Sequence, residues 1–188
     1  HVSQLIRVEP LQRFLAAGAG SGVATVSLDK DGVMRRLPSY PDSFAAAALG
    51  AWLKTNKKAG ARVPEGPRLL QFFGPSRSYP YVSYYQALDP DTFLPPGIFQ
   101  NRVVLVGHSV KTNPDPAARQ ADMFATPPTL ATGELMAGIE VHATVFDNLR
   151  LSLSVRPAPW LLQPAGLALV VLFSFFLFRR WHPWTGGL

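Results

Sequence analysis

The chain of 188 residues contains no cysteine. That excludes disulfides, thiolate metal sites and a cysteine nucleophile, and it leaves the redox compartment open. Residues 1–22 hold no apolar run of the length a cleavable leader needs, so none is expected there. The first residue is His1 rather than Met, which leaves room for sequence upstream. Acidic residues are scarce, 12 against 18 Lys plus Arg, for a net charge of +6. The basic residues form no dense run; Lys54, Lys57 and Lys58 come nearest, at a helix end where the dipole favours cations. With no recognition motif beside them, no nucleic-acid partner is expected. A mild basic balance suits a domain lying over anionic headgroups. Walker, Rossmann and zinc signatures are missing, as are internal repeats, so the sequence predicts no cofactor and no metal site.

What is present begins near the far end. Residues 160–178 read Trp-Leu-Leu-Gln-Pro-Ala-Gly-Leu-Ala-Leu-Val-Val-Leu-Phe-Ser-Phe-Phe-Leu-Phe, without a charge. As a helix this run is roughly 28 Å long, close to the hydrocarbon thickness of a bilayer. Trp160 at one end, and Trp181 and Trp184 past the other, suit the headgroup region; Arg179 and Arg180 favour a cytoplasmic tail. A helix apolar all round is covered by a large protein or by lipid. The chain is therefore expected to divide into a folded domain over 1–158, a transmembrane helix over 159–180 and a tail over 181–188. The domain would lie outside a bacterial inner membrane, with the lipid bilayer as one partner.

The domain reads as follows. Residues 9–17 predict a short helix with Leu11, Phe14 and Leu15 on one face. Residues 23–28 and 33–37 predict two strands joined at Asp29-Lys-Asp-Gly32, since Asp-Gly between apolar runs favours a hairpin. A calcium loop is disfavoured there, because the further acidic ligands of that pattern are absent. Asp42 or Ser43 caps a helix running to about Lys58, with Gly60 ending it. Residues 68–73 predict a third strand and residues 83–88 a short helix. Tyr79, Tyr81, Tyr84 and Tyr85 beside Arg77 suit packing better than base stacking. Residues 102–107, Arg-Val-Val-Leu-Val-Gly, predict a central strand buried on both faces. His108 and Ser109 follow at its C-terminal end, where open α/β sheets place ligands.

Gly107-His-Ser-Val-Lys111 resembles a nucleophile elbow only in part. Lys111 replaces the last glycine and Thr112-Asn-Pro starts no helix, so no catalysis is assigned. Residues 110–137 form a long proline-rich irregular stretch. Residues 138–149 predict a helix with Ile139, His142, Ala143, Phe146 and Leu149 on one face and Glu140, Thr144 and Asp147 opposite. His142 then points inward, either bonded to a backbone carbonyl or lining a pocket beside His108. The element order predicts an α/β domain with a mixed sheet and flanking helices, plus one C-terminal transmembrane helix.

Several stretches together resemble the second type of CHASE domain. They are Gly22-Val-Ala-Thr-Val-Ser-Leu-Asp-Lys-Asp-Gly-Val-Met-Arg-Arg-Leu-Pro38, Phe72-Phe-Gly-Pro75 and Tyr81-Val-Ser-Tyr84. Phe99-Gln-Asn-Arg-Val-Val-Leu-Val-Gly107, Met136-Ala-Gly-Ile-Glu-Val-His-Ala143 and Arg156-Pro-Ala-Pro-Trp160 complete the set, in the family's order. The resemblance implies an extracytoplasmic sensory module of cyclases and histidine kinases, without catalysis, with one membrane helix before it and usually three after. The insert from Lys111 to Thr132 is longer than usual, and Ala137 stands where proline is typical.

Two functions follow from this. A single span with no output domain after it favours a structural or accessory subunit. Such a subunit would dock on membrane protein partners in a larger complex, bioenergetic or photosynthetic. The alternative is a sensory input module of a transmembrane receptor. Its ligand residues would be Arg36, His108, Ser109, Glu140 and His142, with Trp160, Arg179, Arg180 and Trp181 as membrane anchors.

Overall fold

The computed structural model describes residues 9–38, 40–57, 64–109 and 122–181. The expectations for Lys58, Gly60, residues 110–121, Trp184 and the tail beyond 181 lie outside the described residues. The chain divides into two compact units, His1–Val155 and Arg156–Leu188.

Helices dominate the first unit. They are α1 (Gln12–Ala16), α2 (Phe44–Thr55), α3 (Tyr84–Leu88), α4 (Pro90–Phe93), α5 (Thr129–Thr132) and α6 (Gly138–Leu151). Two short strands, β1 (Met123–Phe124) and β2 (Met136–Ala137), pair antiparallel, Met123 with Ala137 and Phe124 with Met136. Single bridges extend this small sheet. Val33 pairs parallel with Ala125, Arg36 antiparallel with Leu69, and Leu69 antiparallel with Val155. The mixed α/β character is present, with a far shorter sheet than the sequence predicts.

Local chemistry explains the helix starts. Ser43 is extended and its hydroxyl accepts the Ala46 N–H at 3.3 Å, which satisfies one of the orphan donors of α2. The Ser83 N–H donates to Gln86 Oε1 at 3.0 Å at the start of α3. The core forms where α2 packs on α6, sealed by Met34, Leu37, Leu70 and Met136. Leu49, Met136, Val141 and Val145 are essentially inaccessible. Burying each such side chain contributes about 1.5–3 kcal/mol.

The α6 helix is more central than its sequence pattern predicts. Thr144, expected on the outer side, is 1% exposed, and Asn148 is fully buried. Thr144 Oγ1 donates back to the Glu140 carbonyl at 3.0 Å, so its hydroxyl needs no water. Asn148 Oδ1 accepts the Gln71 N–H at 2.8 Å while its Nδ2 donates to the Gln71 carbonyl at 2.8 Å. The side chain stands in for a neighbouring strand beside residue 71.

Four expected strands turn out differently; over residues 68–73 Leu69 makes single bridges and no strand forms among the described residues. The turn at residues 29–32 forms: the Asp29 N–H donates to the Val33 carbonyl at 3.0 Å, and Gly32 sits at φ 79°. The flanking runs nevertheless do not pair as a hairpin ladder. Val33, Met34 and Leu37 are buried against other elements, whereas Leu28 is half exposed. Burial decides the partner here, and the outgoing run has too little apolar surface to compete.

The correction at residues 102–107 is larger. This run makes no bridge, and Val103, Val104 and Val106 are 43%, 50% and 69% exposed. A β-branched run signals a buried strand only if other chain covers both faces; here Leu105 is half-buried and Gly107 touches Ile139, while the three valines stay open among the described residues. Helix α1 likewise buries no residue, leaving Leu11 and Phe14 exposed.

The second unit contains α7 (Leu162–Trp181), with Arg179 and Arg180 in its last turn. It is the one described helix long and apolar enough to cross a membrane, and no described residue buries it. Trp160, 78% exposed, lies two residues before its start.

Candidate functional site

A groove of about 780 Å³ opens along one side of α6. Ile139, Ala143 and Phe146 form its apolar floor; residues 76, 77, 79–82, 98, 99, 101–105 and 107 form its sides. Glu140, in the first turn of α6, accepts the backbone N–H groups of Arg77 and Ser78, each at 2.9 Å. This pair of charge-assisted bonds fastens the 74–78 turn to the helix and holds Arg77 at φ 67°. Two helical turns along, Asp147 Oδ2 accepts the Tyr79 hydroxyl at 3.1 Å, and Asp147 Oδ1 accepts Arg150 Nε at 2.9 Å. Burial, and then the neighbouring Asp147 carboxylate, push the Tyr79 hydroxyl up from its ordinary pKa, so it stays protonated and donates.

Arg77 lies 5.4 Å over the Tyr81 ring, and Arg150 lies 6.0 Å over Trp52. On the opposite wall, Gly107 rests on Ile139. A Cβ there would stand 2.6 Å from Ile139 Cβ, so only glycine allows this approach. The groove thus carries three guanidinium groups, Arg77, Arg102 and Arg150, against the carboxylates of Glu140 and Asp147. Apolar walls with a few convergent polar groups are the usual composition of a ligand site.

The five expected ligand residues separate. Ser109 and Glu140 line the groove. His108 is exposed and is not among the groove's lining residues. His142 is 9% exposed and turns to another side of α6; its Nε2 lies 3.1 Å from the Ala24 carbonyl, and Phe44 meets the ring edge-on at 5.2 Å. Burial lowers its pKa, so the neutral ring donates to that carbonyl. Arg36 sits elsewhere, its Nε donating to Asp29 Oδ1 at 2.7 Å, while Arg35 takes Asp31 and Asp29. The two aspartates of the turn are thereby held by arginine.

Sequence reading missed Arg102, Asp147 and Arg150 as groove residues, and took Arg77 and Tyr79 for packing. Only the i,i+3 spacing of Asp147 and Arg150 on a helix announces a contact. The Glu140 bonds to residues 77 and 78 cross more than sixty positions and leave no local signal.

A family model for the CHASE2 domain matches residues 3–178. The chain belongs to the CHASE2 domain family. The match runs through the head and most of α7, so the apolar helix is included in it. CHASE2 domains are extracytoplasmic sensory modules, which accords with a non-catalytic domain beside an apolar helix able to span a membrane. No curated protein and no solved structure is significantly similar to this chain.

Proposed function

We propose that this CHASE2 domain is the sensory input module of a transmembrane receptor and that the groove along α6 is where it takes its signal. The observation that carries this reading is the family match from residue 3 to residue 178, together with a ligand-sized groove on the helix that organises the core. The family match favours sensing over an accessory-subunit role. A ligand moves such a receptor only to the extent that it binds two arrangements with different affinity. Residues 152–161 connect α6 to α7, so a ligand held against α6 acts near the chain that leads into the membrane helix. Trp160 seats that helix at one interface, with Arg179 and Arg180 on the cytoplasmic side.

The test joins residues 1–188 to a cytoplasmic reporter output domain through the family's remaining membrane helices and expresses it in bacteria. Reporter output that changes on adding concentrated culture medium, and no longer changes after Glu140→Ala, supports the reading. Output that no medium fraction alters, from a protein shown to be inserted and folded, overturns it. Orientation is read separately. The chain lacks cysteine, so an exposed Lys30→Cys reacts with a membrane-impermeant maleimide in intact spheroplasts if the head is outside.

A further inference from the structure

Five consecutive residues, Val103, Val104, Leu105, Val106 and Gly107, form one wall of the groove or its rim, and no hydrogen bond to a described residue reaches any of their N–H or C=O groups. Val103, Val104 and Leu105 all line the groove, and from Leu105 onward the lining alternates. Leu105, Gly107 and Ser109 line the groove, whereas Val106 and His108 do not. A period of two is the signature of extended chain. The run is therefore extended at its Leu105–Ser109 end, and Val103, Val104 and Val106 are apolar, β-branched and exposed, the kind of surface that natural proteins cover or pair. Its anchor is firm, because Gly107 is seated on Ile139.

Charge gives the second observation. The carboxylates of the groove are already engaged, Glu140 by two backbone N–H groups and Asp147 by Tyr79 and Arg150. Arg77 and Arg102 line the same groove, and among the described residues neither has a carboxylate partner. Among the described residues, the site holds two guanidinium groups without anions beside a run whose backbone is unpaired.

We infer that the groove binds a short, extended, free peptide carrying apolar side chains and a carboxylate. This rests on the sensory reading above and names its ligand class. Only a polypeptide backbone offers donors and acceptors alternating at the spacing that residues 103–107 present. Five residues of strand span about 17 Å, the length of four or five ligand residues. The floor of Ile139, Ala143 and Phe146 receives alternate side chains, and Arg102 grips the carboxylate through paired N–H···O bonds, since Arg77 is stacked over the Tyr81 ring. A second copy of the chain is disfavoured as occupant, since a net charge of +6 and three arginines at the groove repel their own kind.

The test uses the full chain in lipid nanodiscs and the probe peptide acetyl-Val-Thr-Val-Phe-Asp-amide, with calorimetry as the readout. Two analogues accompany it, one N-methylated at Thr and Phe, the other with Asn for Asp. Saturable binding is expected, weakened at least about tenfold by N-methylation, which removes two backbone donors and blocks the edge. The Asn analogue and Arg102→Gln each weaken binding about five- to tenfold, and together no more than either alone, because they remove the same contact. Arg102 is exposed, so its variant melts with the parent and a folding defect does not mimic the loss. Absence of saturable binding below about 1 mM overturns the inference, as does binding indifferent to N-methylation. So does dimerisation of the chain through this edge, seen as doubled mass by light scattering and abolished by Val104→Lys. If the reporter answers culture medium while no peptide binds, this inference falls and the sensory reading stands; if the peptide binds and the reporter stays silent, the sensory reading falls alone.

Discussion

Replacing Asn148 by alanine tests the architecture at its centre. Asn148 is fully buried and makes three hydrogen bonds of 2.8 Å: it accepts from the Gln71 N–H and donates to the carbonyls of Gln71 and Thr144. Each bond contributes about 1 kcal/mol net, and a buried group stripped of its partner costs more. Gln71 itself is exposed, so water reclaims part of the loss on that side. The alanine variant is therefore expected to lose about 3 kcal/mol. For a head of this size, at about 2–4 °C per kcal/mol, that is a fall of about 6–12 °C in melting temperature. Thermal unfolding of the full chain in detergent, followed by near-ultraviolet circular dichroism, measures it. Asn148→Asp keeps the acceptor, loses both donors and buries a carboxylate, so at neutral pH it falls further than alanine. A drop below about 2 °C for Asn148→Ala would show that residues 68–73 are not held to α6 through this side chain.

Gly107→Ala forces a methyl group into Ile139, with 2.6 Å available, and is expected to cost about 1–3 kcal/mol or to lift the 102–107 run off α6. Melting and protease sensitivity after Arg102 distinguish the two results, and a variant that melts and resists protease like the parent contradicts the packing. His142 has its pKa lowered from 6.5 by burial, so the unfolded chain takes up a proton at higher pH than the folded one. Its neutral form supports the fold fully above about pH 6.5, and that stability is lost as pH falls toward the folded value. Denaturant midpoints of the parent from pH 7.5 to 5 show this slope, and His142→Gln flattens it. Val171→Arg at the middle of α7 costs about 2.5–3.5 kcal/mol of membrane insertion, read as the inserted fraction in a translocation assay. Unchanged insertion would mean that lipid does not surround that position.

Much of the fold was legible because its cause is local. The Ser43 cap, the Asp29–Gly32 turn and the short helix after Ser83 each depend on atoms within four residues of one another. The inward turn of His142 follows from helical periodicity and is found as expected, bonded to a backbone carbonyl. The misreadings share a different cause. Residues 102–107 have the composition of a buried strand, but composition does not supply a neighbour. Arg36 and His142 are suitable ligand residues in isolation, yet Arg36 is held by Asp29 and His142 faces Ala24 rather than the groove.

By itself, the sequence determined the apolar helix near its end, the caps and turns that punctuate the head, and the ordered set of motifs that place the chain among CHASE2 domains. All of these depend on neighbours along the chain or on transfer from water to hydrocarbon, which composition settles. The tertiary structure alone decided that α6 is buried on several sides, that Asn148 substitutes for a strand, and that Arg77, Arg102 and Glu140 meet across one groove. Those outcomes come from contacts dozens of residues apart, where competition for burial selects the partner.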